Sequence, residues 1–237
     1  MKGLYETPWK AQVIHESSPD IEWQTRRLIK PQPDSSLEYK GMIFNWNGKA
    51  QAEFETPFGH ISPLMYHPLC PLGEVGDEVY IKETWAVHFM YDGLPPRLIC
   101  EEGWTQGDSL WYRGCGDSPV TGDCVASQKG KWRPSLFLPA DLARTLVTIT
   151  DIRAQRVQDI SEKDARAEGL VHNAFWDMWE SPLHPGSLID WYKTAFKQLW
   201  DSIHGEGAWE RNDWVWKYSF IRRQNETTES HRDTSSY

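Results

Sequence analysis

RTLVTITDIRAQRVQDISEKDARAEGL, running from Arg144 to Leu170, contains the two kinds of element that set the fold class. Its first part, through Ile160, is rich in β-branched residues with charges at regular intervals, which predicts a long strand. Asp159-Ile160-Ser161 then opens a helix. Ser161 is placed to cap it, with Asp164 at the third helical position as a weak capping box. Gly169 stops the helix after Glu168.

Downstream, a longer helix is predicted from Ser187 to Ile203. Leu188, Trp191, Ala195, Leu199 and Ile203 form an apolar stripe at spacings of three and four, and Gly205 ends it. WVWKYSFI (Trp214–Ile221) reads as the last strand, with Trp214, Trp216, Tyr218 and Phe220 on one face. The tail, residues 224–237, is polar and is expected to be disordered.

Upstream, EVYIKETW (Glu78–Trp85) alternates as a strand after a turn at Gly73 and Gly76-Asp77, and GMIFNW (Gly41–Trp46) reads as a short strand. Residues 1–20 are mixed. Residues 88–131 are rich in Gly, Pro, Asp and Cys, with one strand candidate in SLWYR, and read as a surface insertion rather than core. The expected organisation is one domain over 1–223 with that insertion. The fold class is α+β: short strands in a small, partly closed β-barrel with flanking helices.

Composition narrows the function classes. The chain has 237 residues and a net charge of −9, which argues against a general nucleic-acid coat. The charge is uneven: 11 acidic and 5 basic residues lie between Asp159 and Asp213, against 6 basic and 2 acidic between Lys129 and Arg156. No apolar run approaches a membrane span, and the N-terminus lacks a signal-peptide core, so a cytoplasmic location is expected. The 14 tryptophans fill a core or stack on flat ligands. Cys70, Cys100, Cys115 and Cys124 form no C-x-x-C pair, and His60, His67, His88 and His172 show no ligand spacing, so neither metal nor cofactor is expected.

IEWQTRRLIKPQP (Ile21–Pro33) is a cationic knot in this acidic chain. Arg26, Arg27 and Lys30 are either solvated or one wall of a site for an anion, since the planar guanidinium fork suits phosphate or a base edge. Lys82 and Glu83 form an internal ion pair or line a site. Trp85 is core or a stacking platform. Trp132-Arg133-Pro134 is a strand entry or a flat ring beside a cation.

Six segments occur in an order that resembles the ASCH-domain proteins of bacteriophages and prophages, some called morphogenetic. They are QTRRLIKPQP, the Gly76-Asp77 to Trp85 segment with Val75 in place of Pro, WRPSLFLP, DIRAQRVQDISEKDARAEGL, LWDSIHGEGAWERNDWVW, and Ser219-Phe220. The resemblance covers most of Gln24 to Phe220 and implies a PUA-like barrel with a ligand cleft between barrel and helices. Some small members hydrolyse the amide of acetylated cytidine with a lysine, a threonine and a glutamate. Their pattern Gly-x-Lys-Thr-x-Thr-x-Arg lays its second threonine on Thr25 and its arginine on Arg27. The glutamate falls on Glu168, while the lysine position is Glu22 and the glycine position Asp20. A carboxylate at Glu22 cannot stabilise an oxyanion as an amine does.

The expected ligand set is therefore Gln24, Thr25, Arg26, Arg27, Lys30, Lys82, Glu83, Trp85, Arg133 and Glu168. Thr25 and Glu168 are the catalytic remnant and Glu22 the substituted position. The leading expectation is a module binding RNA or a modified nucleoside, single-stranded bases suiting a pocket better than a duplex. The alternatives are an amidohydrolase acting on an acylated base, and a phage assembly or host-interaction protein docking through its acidic helices.

Overall fold

The computed structural model describes residues 1–57, 64–101, 109–115, 126–182, 186 and 188–223. In chain order the first elements are β1 (Lys2–Tyr5), α1 (Pro8–Glu16), β2 (Glu22–Leu28), β3 (Glu38–Phe44), β4 (Ala50–Glu55) and β5 (Met65–Tyr66). Next come β6 (Glu78–Lys82), β7 (Trp85–Ala86), α2 (Pro96–Glu101), β8 (Trp111–Tyr112) and β9 (Leu146–Arg156). The chain continues through α3 (Glu162–Ala167), β10 (Val171–Asn173), β11 (Met178–Glu180), β12 (Leu188–Ile189), α4 (Tyr192–His204) and β13 (Trp214–Arg222). The α+β class holds, with sheet predominating over helix.

A five-stranded sheet in the order β1-β6-β9-β13-β2 forms the centre; only its β1–β6 pair is parallel. β13 lies between β9 and β2, with Tyr218 opposite both Ile152 and Thr25. Both faces of β13 are therefore covered. Trp216, Tyr218 and Phe220 enter one core with Ile81 and Ile149, while Val215 joins a second core with Leu199 and Trp200. Three smaller sheets, β3-β4-β5, β7-β8 and β10-β11-β12, flank this centre.

The sheet does not close into the expected barrel. Its order ends at β1 on one side and β2 on the other. β1 is four residues long, and the chain then turns into α1, so β1 cannot extend along β2. Cations cap the β2 edge instead of a strand, a recognised way of protecting an unpaired edge. Lys10 Nζ donates to Gln24 O at 2.6 Å, and Arg27 Nη1 donates to Arg26 O at 3.0 Å. Arg27 Nη2 reaches across to Tyr5 O.

The Arg144–Leu170 stretch folds as its local signals direct. β9 ends in a short 3-10 turn, and Ser161 and Asp164 complete the capping box of α3. Glu168 is the C-cap, and Gly169 follows at φ +101°, a left-handed conformation that glycine adopts without strain.

Three expectations need correction. The second helix starts at Tyr192, because Leu188–Ile189 pair with β11 as a strand; Ser187 lies outside the described residues. Its buried side chains are Ala195, Phe196, Leu199 and Trp200, while Trp191 and Ile203 are about half exposed. Phe196 and Leu199 each contribute about 1.5–3 kcal/mol by burial. The segment read as a surface insertion supplies Ile99, Leu110 and Tyr112 to a third core with Tyr80, Trp85 and Leu142. GMIFNW is the end of a longer strand, with Asn45 opening the turn after Phe44. The tail 224–237 and the side chains of Cys100, Cys115 and Cys124 lie outside what is described; Cys70 is a buried free thiol.

Candidate ligand-binding pocket

A pocket of about 310 Å³ opens against the free edge of β2, between α1 and α4. Because it wraps an edge, residues from both faces of β2 line it. Thr25 and Arg27 share one face, and Arg26 takes the other. α1 and the residues before it add Tyr5, Glu6, Trp9 and Lys10. The end of α3 adds Glu168. α4 adds Phe196, Leu199, Trp200, Ile203 and His204.

The floor is a chain of buried charges alternating in sign. Lys10 Nζ lies 3.5 Å from Glu6 and donates to Glu168 Oε2 at 2.8 Å. Arg26 Nη1 donates to Glu168 Oε1 at 2.9 Å, and its Nη2 lies 3.4 Å from Asp164 Oδ2. Lys217 Nζ lies 3.0 Å from Asp164 Oδ1. Burial alone would raise the Glu168 carboxyl, but Lys10 and Arg26 outweigh it and hold it below the usual range. Burial also opposes ionisation of Asp164, and hydrogen bonds from Lys217 and Gln24 with the charge of Arg26 hold it far down. Such a network stays ordered because each buried charge has a partner.

The walls are flat and apolar. The rings of Trp200 and His204, one helical turn apart, lie 4.0 Å apart centre to centre. Arg26 lies 5.6 Å from the Phe196 ring centre. Burial, followed by the charges of Arg27, Arg211 and Lys30, pushes the His204 imidazole down from its ordinary value, with Asp213 opposing. Several lining residues hold polar atoms without a hydrogen-bond partner among the described residues: Thr7 Oγ1, Trp9 Nε1, Arg26 Nε and Trp200 Nε1.

Thr25, Arg26, Arg27 and Glu168 thus meet at one cavity. Thr25 Oγ1 accepts from Arg27 Nη1 at 2.6 Å. Arg26 is 2% exposed and committed to Glu168 and Asp164, so it is not an outer phosphate contact. The other expected residues lie outside the lining. Glu22 is exposed at the start of β2, so it and Glu168 do not share a hydroxyl, and Gln24 is buried beside Asp164. Lys82 donates to Tyr5 Oη and Leu136 O. Glu83 pairs with Arg144 at 2.6 Å, not with Lys82. Trp85 is fully buried, and Arg133 beside it donates to the carbonyls of Leu94 and Tyr91. Lys30 is exposed beyond β2.

The reading from sequence did not include Lys10, Trp9, Phe196, Trp200 and His204 in the site. A signal for Lys10 was present: it shares the buried face of α1 with Ala11 and Ile14, an unusual place for an amine without a buried acid to meet. Among the described residues no helix is long and apolar enough to cross a membrane. No family model, curated protein or solved structure matches the chain.

Proposed function

We propose that the chain binds a nucleobase in this pocket, presented as a modified nucleoside or as an unstacked base of single-stranded RNA. One observation carries the reading: a flat wall of Trp9, Phe196, Trp200 and His204 faces Thr25, Arg26 and Arg27 across a cavity of about 310 Å³. That volume lies at the small end of the range for ligand pockets, about 300–1,000 Å³. Aromatic rings receive a base face at about 1–3 kcal/mol per stacked base, and polar groups at the rim read its edge. The six ordered segments resembling ASCH-domain proteins support the same reading.

The test is a titration of the four common nucleosides and N4-acetylcytidine, followed by tryptophan emission and calorimetry. Saturable quenching that Trp200→Leu weakens is the expected result. Absence of both heat and quenching for every nucleoside removes the proposal.

Hydrolysis of an acylated nucleoside is a second reading, and Lys10 favours it. Glu22 occupies the family's lysine position, yet a lysine from α1 contacts Glu168 in the pocket that Thr25 lines. In this reading the Thr25 hydroxyl attacks the amide carbonyl and Lys10 stabilises the oxyanion. The three N–H bonds of Lys10 already meet Gln24 O, Glu168 and Glu6, so it acts as a fixed charge rather than a free base. Release of cytidine from N4-acetylcytidine, lost in Thr25→Val, supports this reading; no release from the wild-type chain eliminates it.

A further inference from the structure

The mouth of the pocket carries charge that a neutral nucleoside does not use. The floor cations Lys10, Arg26 and Lys217 are matched internally by Glu6, Glu168 and Asp164. Arg27 differs: its side chain is 36% exposed, and its contacts are Tyr5 O, Arg26 O, Thr25 and Glu6. Two further cations stand near it. Lys30 is exposed, with no hydrogen bond or ion pair among the described residues, and Arg211 is exposed and pairs with Asp213. The backbone brings them together. Ile29 N donates to Trp214 O at 3.0 Å, and Gln32 bonds both backbone polar groups of Trp214. That pairing sets the segment after β2 beside the Arg211–Asp213 turn.

We infer that the ligand carries a phosphate next to its base ring, held at the pocket mouth by Arg27, Lys30 and Arg211 with His204 between them. The inference rests on the base-pocket reading above and adds the ligand's charge to it. Three cations from separate parts of the chain act on the one imidazole lining this mouth, and the opposing acid is Asp213. This occurs in a chain of net charge −9, so the positive field is local and not a property of the whole surface. His204, held neutral by the same field, offers phosphate a hydrogen bond without needing a counter-charge. An arginine fork and a mobile lysine ammonium are complementary phosphate partners.

The experiment compares cytidine, uridine, adenosine and guanosine with their 5′-monophosphates and with short single-stranded RNA. Binding is read by calorimetry at about 50 mM and about 200 mM salt. The expected result is about tenfold tighter binding of a monophosphate than of its nucleoside at low salt, shrinking at high salt. The Lys30→Ala/Arg211→Ala variant, altered only at exposed positions, should lose most of that advantage and keep nucleoside affinity. Preference for the RNA over the monophosphate assigns the phosphate to a diester, and the reverse to a monoester; both outcomes support the inference. Equal affinity for nucleoside and monophosphate overturns it and leaves the base pocket standing. So does an advantage that persists in the double variant. Absence of binding by every probe overturns both.

Discussion

Lys10 donates to Glu168 at 2.8 Å across 158 positions of chain, and both side chains are at least nine-tenths buried. This contact ties α1 to the end of α3 beneath the pocket. The two residues sit on helices that never pair through backbone, so the charge pair itself orients the walls.

Lys10→Met should therefore destabilise the fold strongly. It leaves Glu168, Glu6 and Gln24 O short of a cation, and breaking a buried pair costs about 3–5 kcal/mol. Urea unfolding measures it. Combined with Glu168→Gln, the loss should fall short of the sum, because the two side chains share one interaction. An unchanged midpoint in Lys10→Met contradicts the role given to this pair.

Arg27→Ala should cost about 1–3 kcal/mol, since Arg27 bridges the two sheet edges through Tyr5 O and Glu6. Faster amide exchange in β1 is the expected local signature. Arg27→Lys keeps the charge and loses the fork, so it should retain part of the salt-dependent affinity and little of the β1 protection.

Gly169→Ala should damage the pocket from behind. A Cβ there would lie 2.6 Å from Trp9 Cη2, on a backbone at φ +101°. Moving Trp9 and straining the backbone should cost about 1–3 kcal/mol each. A shift in tryptophan emission, with weaker nucleoside binding at a temperature where the chain stays folded, checks it.

Stability should fall as pH is lowered from about 6.5 to about 4. Burial, then Arg144 and Arg222, lower the His15 imidazole from 6.5 to about 4, with Glu16 opposing. In that window the unfolded chain binds the proton and the folded chain does not, so acid favours unfolding and the contribution is complete above pH 6.5. Thermal melts of wild type and His15→Asn should converge toward the acid end of the window if His15 is the sensor. Below it, Asp164 and Glu168, both held down in the fold, take over the loss.

The local elements were legible in the sequence. The Ser161–Asp164 box, the stop at Gly169 and the alternation of β13 act over a few residues, and neighbours within that range decide them. Strand periodicity also put Thr25 and Arg27 on one face. Everything that depends on a distant partner was decided by tertiary structure. Two adjacent arginines look alike in sequence, yet Arg26 is buried because α3 and α4 pack over it, and Arg27 stays half exposed at an open edge. Glu83 meets Arg144 rather than its neighbour Lys82, and Leu188–Ile189 joins β11 rather than α4. Lys10 becomes part of a site only once α1 lies under α3. Coulomb attraction and desolvation act through space and not along the chain, so no pattern of spacing encodes which charges will meet.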